Sequence, residues 1–301
     1  MTPDSSPEPS PTVPDLQLET RGPTSQIHKP AQIEFWNKAF AFRASLVAKL
    51  TEAGYGHLCR RIADCHSHED ALVCKECSTT KIITNRCEHR WCPLCSPRLA
   101  RERVEELKHW AMTIRQPKHV VLTARNSATL TRRRVRMFQR AIARLRRTTL
   151  AQGWRSGTWS LEVTNESKGW HLHAHLLVDA RWIDAVDLSG AWAKQIGQDF
   201  AIVKVKDARS ADYLKELLKY VVKSSQLCEW NGYEIAELIL AFRGVRSFGV
   251  FGSLTGLRSQ WKQTIRQIRS DRSRCQCGCN KFVIRDARLE ELESRHRVRR
   301  R

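Results

Sequence analysis

The sequence predicts an α+β fold: a central antiparallel sheet with flanking helices, preceded by a small cysteine-rich module. Three observations lead there. From Lys118 onward, strand-like and helix-like stretches interleave. Two of the strand-like stretches, GTWSLEVT and HLHAHLLVD, are separated only by NESKGW and are close enough to pair as a hairpin, which argues against a doubly wound parallel sheet. Upstream of them, seven cysteines fall within residues 59–95.

The elements follow in order. Residues 1–31 hold seven of the ten prolines and few large apolar side chains, the composition of a disordered tail. Residues 32–115 form a helical, cysteine-rich module. Phe35, Ala39, Phe42, Leu46 and Leu50 make a helical stripe at its start, and residues 98–115 look helical again. Residues 116–260 form the sheet domain. KHVVLTA reads as its first strand, and TRRRVRMFQRAIARLRR as a basic amphipathic helix with Val135, Phe138, Ile142 and Leu145 inward. After the hairpin, WIDAVDLSGAWAKQIG reads as a helix, FAIVKVK as a strand and SADYLKELLKYVVKSS as a helix. Residues 261–301 read as a basic C-terminal tail. No internal repeat is visible.

Composition narrows the function. Lys and Arg total 52 against 31 Asp and Glu, a net charge of +21. That excess points to a polyanionic partner, DNA or RNA before a membrane surface. No apolar run has the length of a membrane span. The start, MTPDSSPEPSPTVPD, lacks the basic and apolar regions of a signal peptide. A cytoplasmic location is therefore expected, where disulfides are uncommon, and eleven cysteines suggest metal binding.

CKEC at 74–77 and CPLC at 92–95 are two CxxC pairs, 14 residues apart. Cys74, Cys77, Cys92 and Cys95 supply the four soft ligands of a structural Zn²⁺, with Cys87 as a fifth candidate. Cys59, Cys65, His66, His68 and His89 lie near, so a swapped ligand set or a second ion stays open. CQCGC at 275–279 lacks a fourth partner unless Cys228 or His296 supplies it, and unpaired thiols are the alternative.

In GWHLHAHLLVD, His171, His173 and His175 share one face of a strand while Leu172, Ala174, Leu176 and Val178 share the other. Amidohydrolases also use a His-x-His strand, but they need further histidines, and only His296 follows His175. A carboxylate is the better third ligand. Glu162 of SLEVT alternates away from Leu161 and Val163 onto the polar face. His173, His175 and Glu162 would hold Mg²⁺ or Mn²⁺ with positions left open, able to polarise a phosphate oxygen. In ELLKYVVK, Glu216 and Tyr220 lie four apart on one helical face, with Lys223 a turn further. Tyr220 is the candidate nucleophile and Tyr213 the backup.

Together these motifs resemble the HUH endonucleases, and most closely the rolling-circle replication initiators of plasmids. The resemblance rests on HVVLTARN, SLEVT, GWHLHAHLLV with its His173-Ala174-His175 element, KYVVKSS, FRGVRSFGVFGSL at 242–254 and RCEHRWCPLCSPRLARER. It covers roughly residues 35–260. Many members carry Pro at the place of Leu172 and a bulkier residue at that of Ala174, and neither difference removes a ligand. The resemblance implies an RRM/ferredoxin-like palm. It also implies site-specific nicking of one DNA strand at a plasmid origin, single-stranded or cruciform, giving a 5′-phosphotyrosine link and a free 3′-OH primer. Glu216 would activate water in the closing cleavage. No GxxxxGK[ST] occurs, so a host helicase and DNA polymerase would be partners. The arginine-rich helix at 131–147 and the tail RHRVRR are candidate phosphate contacts. Two alternatives stand beside this reading. One is a single-strand HUH transposase, whose class usually has a second tyrosine where Glu216 stands. The other is a non-enzymatic zinc-containing DNA-binding regulator, which leaves the histidine strand unexplained. Oligomeric state is open.

Overall fold

The computed structural model describes residues 30–208, 225–257, 260, 263, 266–267 and 274–286. Tyr213, Glu216, Tyr220, Lys223 and His296, with the N-terminal stretch 1–29, lie outside the described residues. The architecture is α+β, two antiparallel sheets flanked by helices.

The N-terminal part begins with α1 (Pro30–Glu52), followed by a single 3₁₀ turn and the short α2 (Arg60–Ala63). Of the apolar stripe read in α1, Ala39, Leu46 and Leu50 are buried. A hairpin of β1 (Glu69–Cys74) and β2 (Thr80–Thr84) comes next, then α3 (Ser96–Thr113). The hairpin gains a third strand from the far end of the chain. β8 (Phe282–Asp286) pairs antiparallel with β1, giving the order β2-β1-β8. The segment read as a tail thus returns to the N-terminal module.

The larger sheet has five strands: β3 (Pro117–Thr123), β4 (Ser156–Glu166), β5 (Gly169–Asp179), β6 (Val203–Asp207) and β7 (Phe248–Gly252). Their order is β6-β3-β5-β4-β7, each neighbouring pair antiparallel. The β4–β5 hairpin is its spine. Its turn brings Gly169 to φ 82, and a Cβ there would lie 2.6 Å from the Ser127 carbonyl oxygen. The hairpin end is anchored by Glu237, which accepts from Trp170 Nε1 at 2.8 Å and from the Leu130 amide at 2.7 Å.

One face of this sheet is dry. Leu172, Ala174, Leu176 and Val178 of β5 and Val120 and Leu122 of β3 are fully buried. They share a core with Val135, Phe138, Ile142 and Leu145 of α4 (Arg132–Leu145) and Leu188 and Trp192 of α5 (Ala185–Ile196). Each Val, Leu, Ile or Phe among them contributes roughly 1.5–3 kcal/mol by leaving water. The helices start on side-chain caps: Thr131 accepts from the Arg134 amide, and Asp184 from those of Val186 and Asp187. A further helix, α6 (Gly232–Phe242), opens with a reciprocal capping box between Asn231 and Glu234. It joins the two halves of the molecule. Lys49 of α1 donates to the carbonyls of Cys228 and Trp230 at 2.6 and 2.9 Å, Arg90 donates to that of Val245 at 2.9 Å, and Trp91 meets Phe242 edge-on. Among the described residues no helix is long and apolar enough to cross a membrane.

Candidate metal centre

The other face of the five-stranded sheet carries the polar site. Register puts Glu162 directly across from His173, and Ser160 across from His175. Residues opposite one another share a face, so Glu162, His173 and His175 converge without help from any loop. Glu162 Oε2 lies 2.7 Å from His173 Nε2 and 2.9 Å from His175 Nε2. Glu162 and His175 are buried, and His173 is nearly so. His171 continues the row, its ring 5.2 Å from that of His173.

Electrostatics keep the carboxylate charged. Burial alone would raise the Glu162 pKa, but the hydrogen bonds and charges of His173 and His175 outweigh it and hold the group at about 2. Glu162 is therefore an anionic donor at neutral pH. The donor set suits a hard or borderline divalent ion. Neighbouring ligands on an octahedral ion stand about 3 Å apart when each bond is about 2.1 Å, which matches the distance from Glu162 Oε2 to each imidazole nitrogen. Two polar atoms on this face, His173 Nδ1 and Ser160 Oγ, are buried and meet no hydrogen-bond partner among the described residues.

One residue of the site escaped the sequence reading. His119 stands on β3, the strand beside β5, and its Nε2 lies 3.1 Å from His175 Nδ1 with the rings stacked. Burial first, then the neighbouring His175 and Lys206, lowers its pKa to about 3, so it is neutral. An ion on His175 Nε2 requires the proton on Nδ1, and His119 Nε2 is the acceptor that proton meets. His119 is quoted in HVVLTARN, but nothing in the sequence says which strand pairs with β5. Beyond it on β6, exposed Lys204 and Lys206 stand across from Val121 and His119, a cationic edge beside the cluster. The arginine-rich α4 packs its apolar face into the core of the opposite side, but its Arg134 lies close enough to His171 to disfavour a charge on that ring.

The cysteines are arranged differently from the sequence expectation. The two CxxC pairs do not face one another. Cys92 and Cys95 join Cys65 and Cys87 in one buried cluster, with Cys95 Sγ 3.5 Å from Cys65 Sγ and 3.8 Å from Cys87 Sγ. Cys74 and Cys77 join Cys275 and Cys277 in another. The cause is the β1–β2 hairpin. Cys65 and Cys87 flank its open end while Cys74 and Cys77 form its tip, and five residues of strand separate the two by about 16 Å. Counting residues between CxxC pairs cannot see that intervening hairpin. Cys59 bonds the Gly56 carbonyl and His66 packs on Trp36, so neither enters a cluster.

In the buried cluster the thiols crowd one another. Hydrogen bonds from Cys87 and Cys92 pull the Cys95 thiol far down, and the same kind of contact from Cys87 and Cys95 pushes Cys92 far up. A divalent cation would take all four as thiolates and remove that conflict. The amides of Cys87 and His89 already point at sulfur, on Cys65 and Cys87 respectively. Glu88 between them sits at φ 54, the left-handed turn that aims the second amide.

Residues 37–124 match a family model described as a transposase zinc-binding domain. The match spans the whole buried cluster, Cys74 and Cys77, and ends just past β3. This part of the chain is thus similar to a zinc module found in transposases. No curated protein and no solved structure matches the chain.

Proposed function

We propose that the protein is a metal-dependent DNA strand-nicking enzyme of the HUH type, which cuts one strand with Tyr220 and stays joined to it. The observation that supports this reading is the convergence of Glu162 Oε2 on His173 and His175 at 2.7 and 2.9 Å, on a sheet face edged by Lys204 and Lys206. Two imidazoles and a carboxylate also hold Fe(II) in oxygenases. The net charge of +21 and the match to a transposase module favour a phosphodiester instead.

Mg²⁺ or Mn²⁺ bound by Glu162, His173 and His175 would polarise a phosphate oxygen and stabilise the charge that builds on it. The chain supplies the rest. Of its four tyrosines, Tyr55 and Tyr233 pack edge-to-face at 6.3 Å, which leaves Tyr213 and Tyr220. The Tyr220 oxygen bonds to phosphorus, and the bond from phosphorus to the 3′ oxygen breaks. The tyrosine proton ends, through the Lys223 side chain or water, on that 3′ oxygen. The products are a 5′-phosphotyrosine and a free 3′-OH, with the phosphoester retained for later rejoining. Glu216 acts as the base for water in a closing cleavage.

Two biological uses share this chemistry. Glu216, standing where two-tyrosine transposases carry a second tyrosine, favours a rolling-circle plasmid initiator whose partners are origin DNA and a host helicase and polymerase. The match of residues 37–124 favours a rolling-circle transposase. The test of the shared chemistry uses the full-length protein, Mn²⁺ and a supercoiled plasmid carrying the DNA that flanks its gene. The expected product is a nicked circle with protein on a 5′ end, absent with Tyr220→Phe. An adduct that survives Tyr220→Phe moves the nucleophile to Tyr213. Tight binding without nicking overturns the enzyme reading in favour of a regulator. The two uses then separate on a linear donor carrying element ends, which a transposase joins to a second strand and an initiator does not.

A further inference from the structure

We propose that Cys74, Cys77, Cys275 and Cys277 hold a second, discontinuous Zn²⁺ that staples the C-terminal strand β8 to the N-terminal module. No part of this rests on the nicking reading.

The four sulfurs all lie within 4.8 Å of one another. Cys77 Sγ is 3.2 Å from Cys275 Sγ, and Cys74 Sγ is 3.6 Å from Cys277 Sγ. Sulfurs on a tetrahedral zinc stand about 3.8 Å apart, given Zn–S bonds of about 2.3 Å. Cys279 Sγ sits 3.1 Å from Cys74 Sγ, a fifth sulfur at the rim of the site.

The backbone on both sides is wound into a tight turn, of five residues at 74–78 and of four at 275–278. After Cys77, Ser78 takes φ 57 and its amide bonds the Cys74 carbonyl at 3.0 Å. After Cys277, Gly278 takes φ 86 and its amide bonds the Cys275 carbonyl at 2.9 Å. Cys275 closes its own turn by donating to the Cys279 carbonyl at 2.8 Å. The two turns are tied directly, since the Lys75 amide bonds the Lys281 carbonyl at 3.0 Å. The two turns each present two thiols to the same point, one from a CxxC and the other from a CxC, and together supply the four sulfurs of a structural zinc.

The sheet here needs such a clamp. Ile82 of β2 is 53% exposed, and Val283 and Ile284 of β8 are 39% and 66% exposed. A three-stranded sheet with so little buried apolar surface does not hold its outer strand alone. Register also sets Asp70 directly against Asp286, a like-charge pair across the strands. The opposing cost is large, because about two hundred residues separate Cys77 from Cys275 and the whole five-stranded sheet lies between them. Metal binding is the term that offsets both.

The test uses full-length protein with Glu162→Ala/His173→Ala, which removes the imidazole–carboxylate site, loaded with zinc. Elemental analysis is expected to find two zinc ions per chain, and one when Cys275→Ser/Cys277→Ser/Cys279→Ser is added. One zinc in the first protein, or two in the second, overturns the proposal. Should the second protein fail to fold, the first decides. Native alkylation mapped by mass spectrometry is expected to modify Cys275 and Cys277 an order of magnitude more slowly than the exposed Cys228, with protection lost on adding a chelator. Equal rates for Cys277 and Cys228 in the zinc-loaded protein overturn it.

Discussion

The cluster at Cys65, Cys87, Cys92 and Cys95 and the cluster at Glu162, His173 and His175 lie in one chain and answer opposite demands. The first offers four sulfurs, all buried, and leaves no coordination position for anything else. It sits in a core that also holds Leu46, Leu50, Ile62 and Leu94 of the N-terminal part. The second offers two nitrogens and one oxygen on a rigid hairpin, a donor set that fills only half of an octahedral ion's positions. It sits on a sheet whose other face is already closed by α4 and α5, so the fold does not need the ion. A closed soft donor set suits a structural ion, and an open hard one suits a reactive ion. The difference lies in donor type and in what stands behind the donors.

Loss of a sulfur ligand should give the largest effect. Cys92→Ser is expected to release zinc and unfold the N-terminal module, because zinc binding worth about 10 kcal/mol rivals the whole stability of a domain. Circular dichroism and zinc content check it, and a variant that keeps its zinc and its melting temperature breaks the comparison. Next comes Glu162→Ala. Nicking should fall on the order of 10³-fold, the equivalent of about 4 kcal/mol of lost charge stabilisation, while zinc content stays at the wild-type value. A fall in zinc content would show that the two sites are not separate.

His119 sharpens the contrast further, as a positioning residue that holds the His175 proton. His119→Ala should raise the Mn²⁺ concentration needed for half-maximal nicking by about 10–100-fold. His119→Gln, which keeps an acceptor, should recover part of that. An unchanged metal requirement with reduced overall rate would point to packing alone. Smallest is Asp184→Ala, which removes the cap of α5. It should cost about 1 kcal/mol in thermal denaturation and leave both metal contents and nicking unchanged.

Much of the larger sheet was legible because its patterns are local. The alternation of Leu172, Ala174 and Leu176 with three histidines marks a two-faced strand, and the arginine-rich α4 carries its apolar residues at helical spacing. Glu162 could be read because its strand precedes the histidines by a tight turn, which nearly fixes the register. The rest depends on pairing between distant segments. β8 with β1 and the joining of Cys275 and Cys277 to Cys74 and Cys77 leave no local trace beyond three cysteines at alternate positions. His119 needs the β3–β5 register, which no turn dictates. Helix α6 carries only Glu234 and Glu237 as charged residues in an otherwise apolar stretch, too short a polar stripe to reveal its period in the sequence.

The account turns on Glu162, His173 and His175 forming an open metal centre separate from the sulfur sites. The most direct measurement is a Mn²⁺ titration of protein carrying zinc at its sulfur sites only, followed by electron paramagnetic resonance, comparing wild type with Glu162→Ala and His173→Ala. The account predicts one bound Mn²⁺ per chain in the wild type, its loss in both variants, and unchanged zinc in all three. Mn²⁺ bound equally well by the variants, or none bound by the wild type, would contradict it.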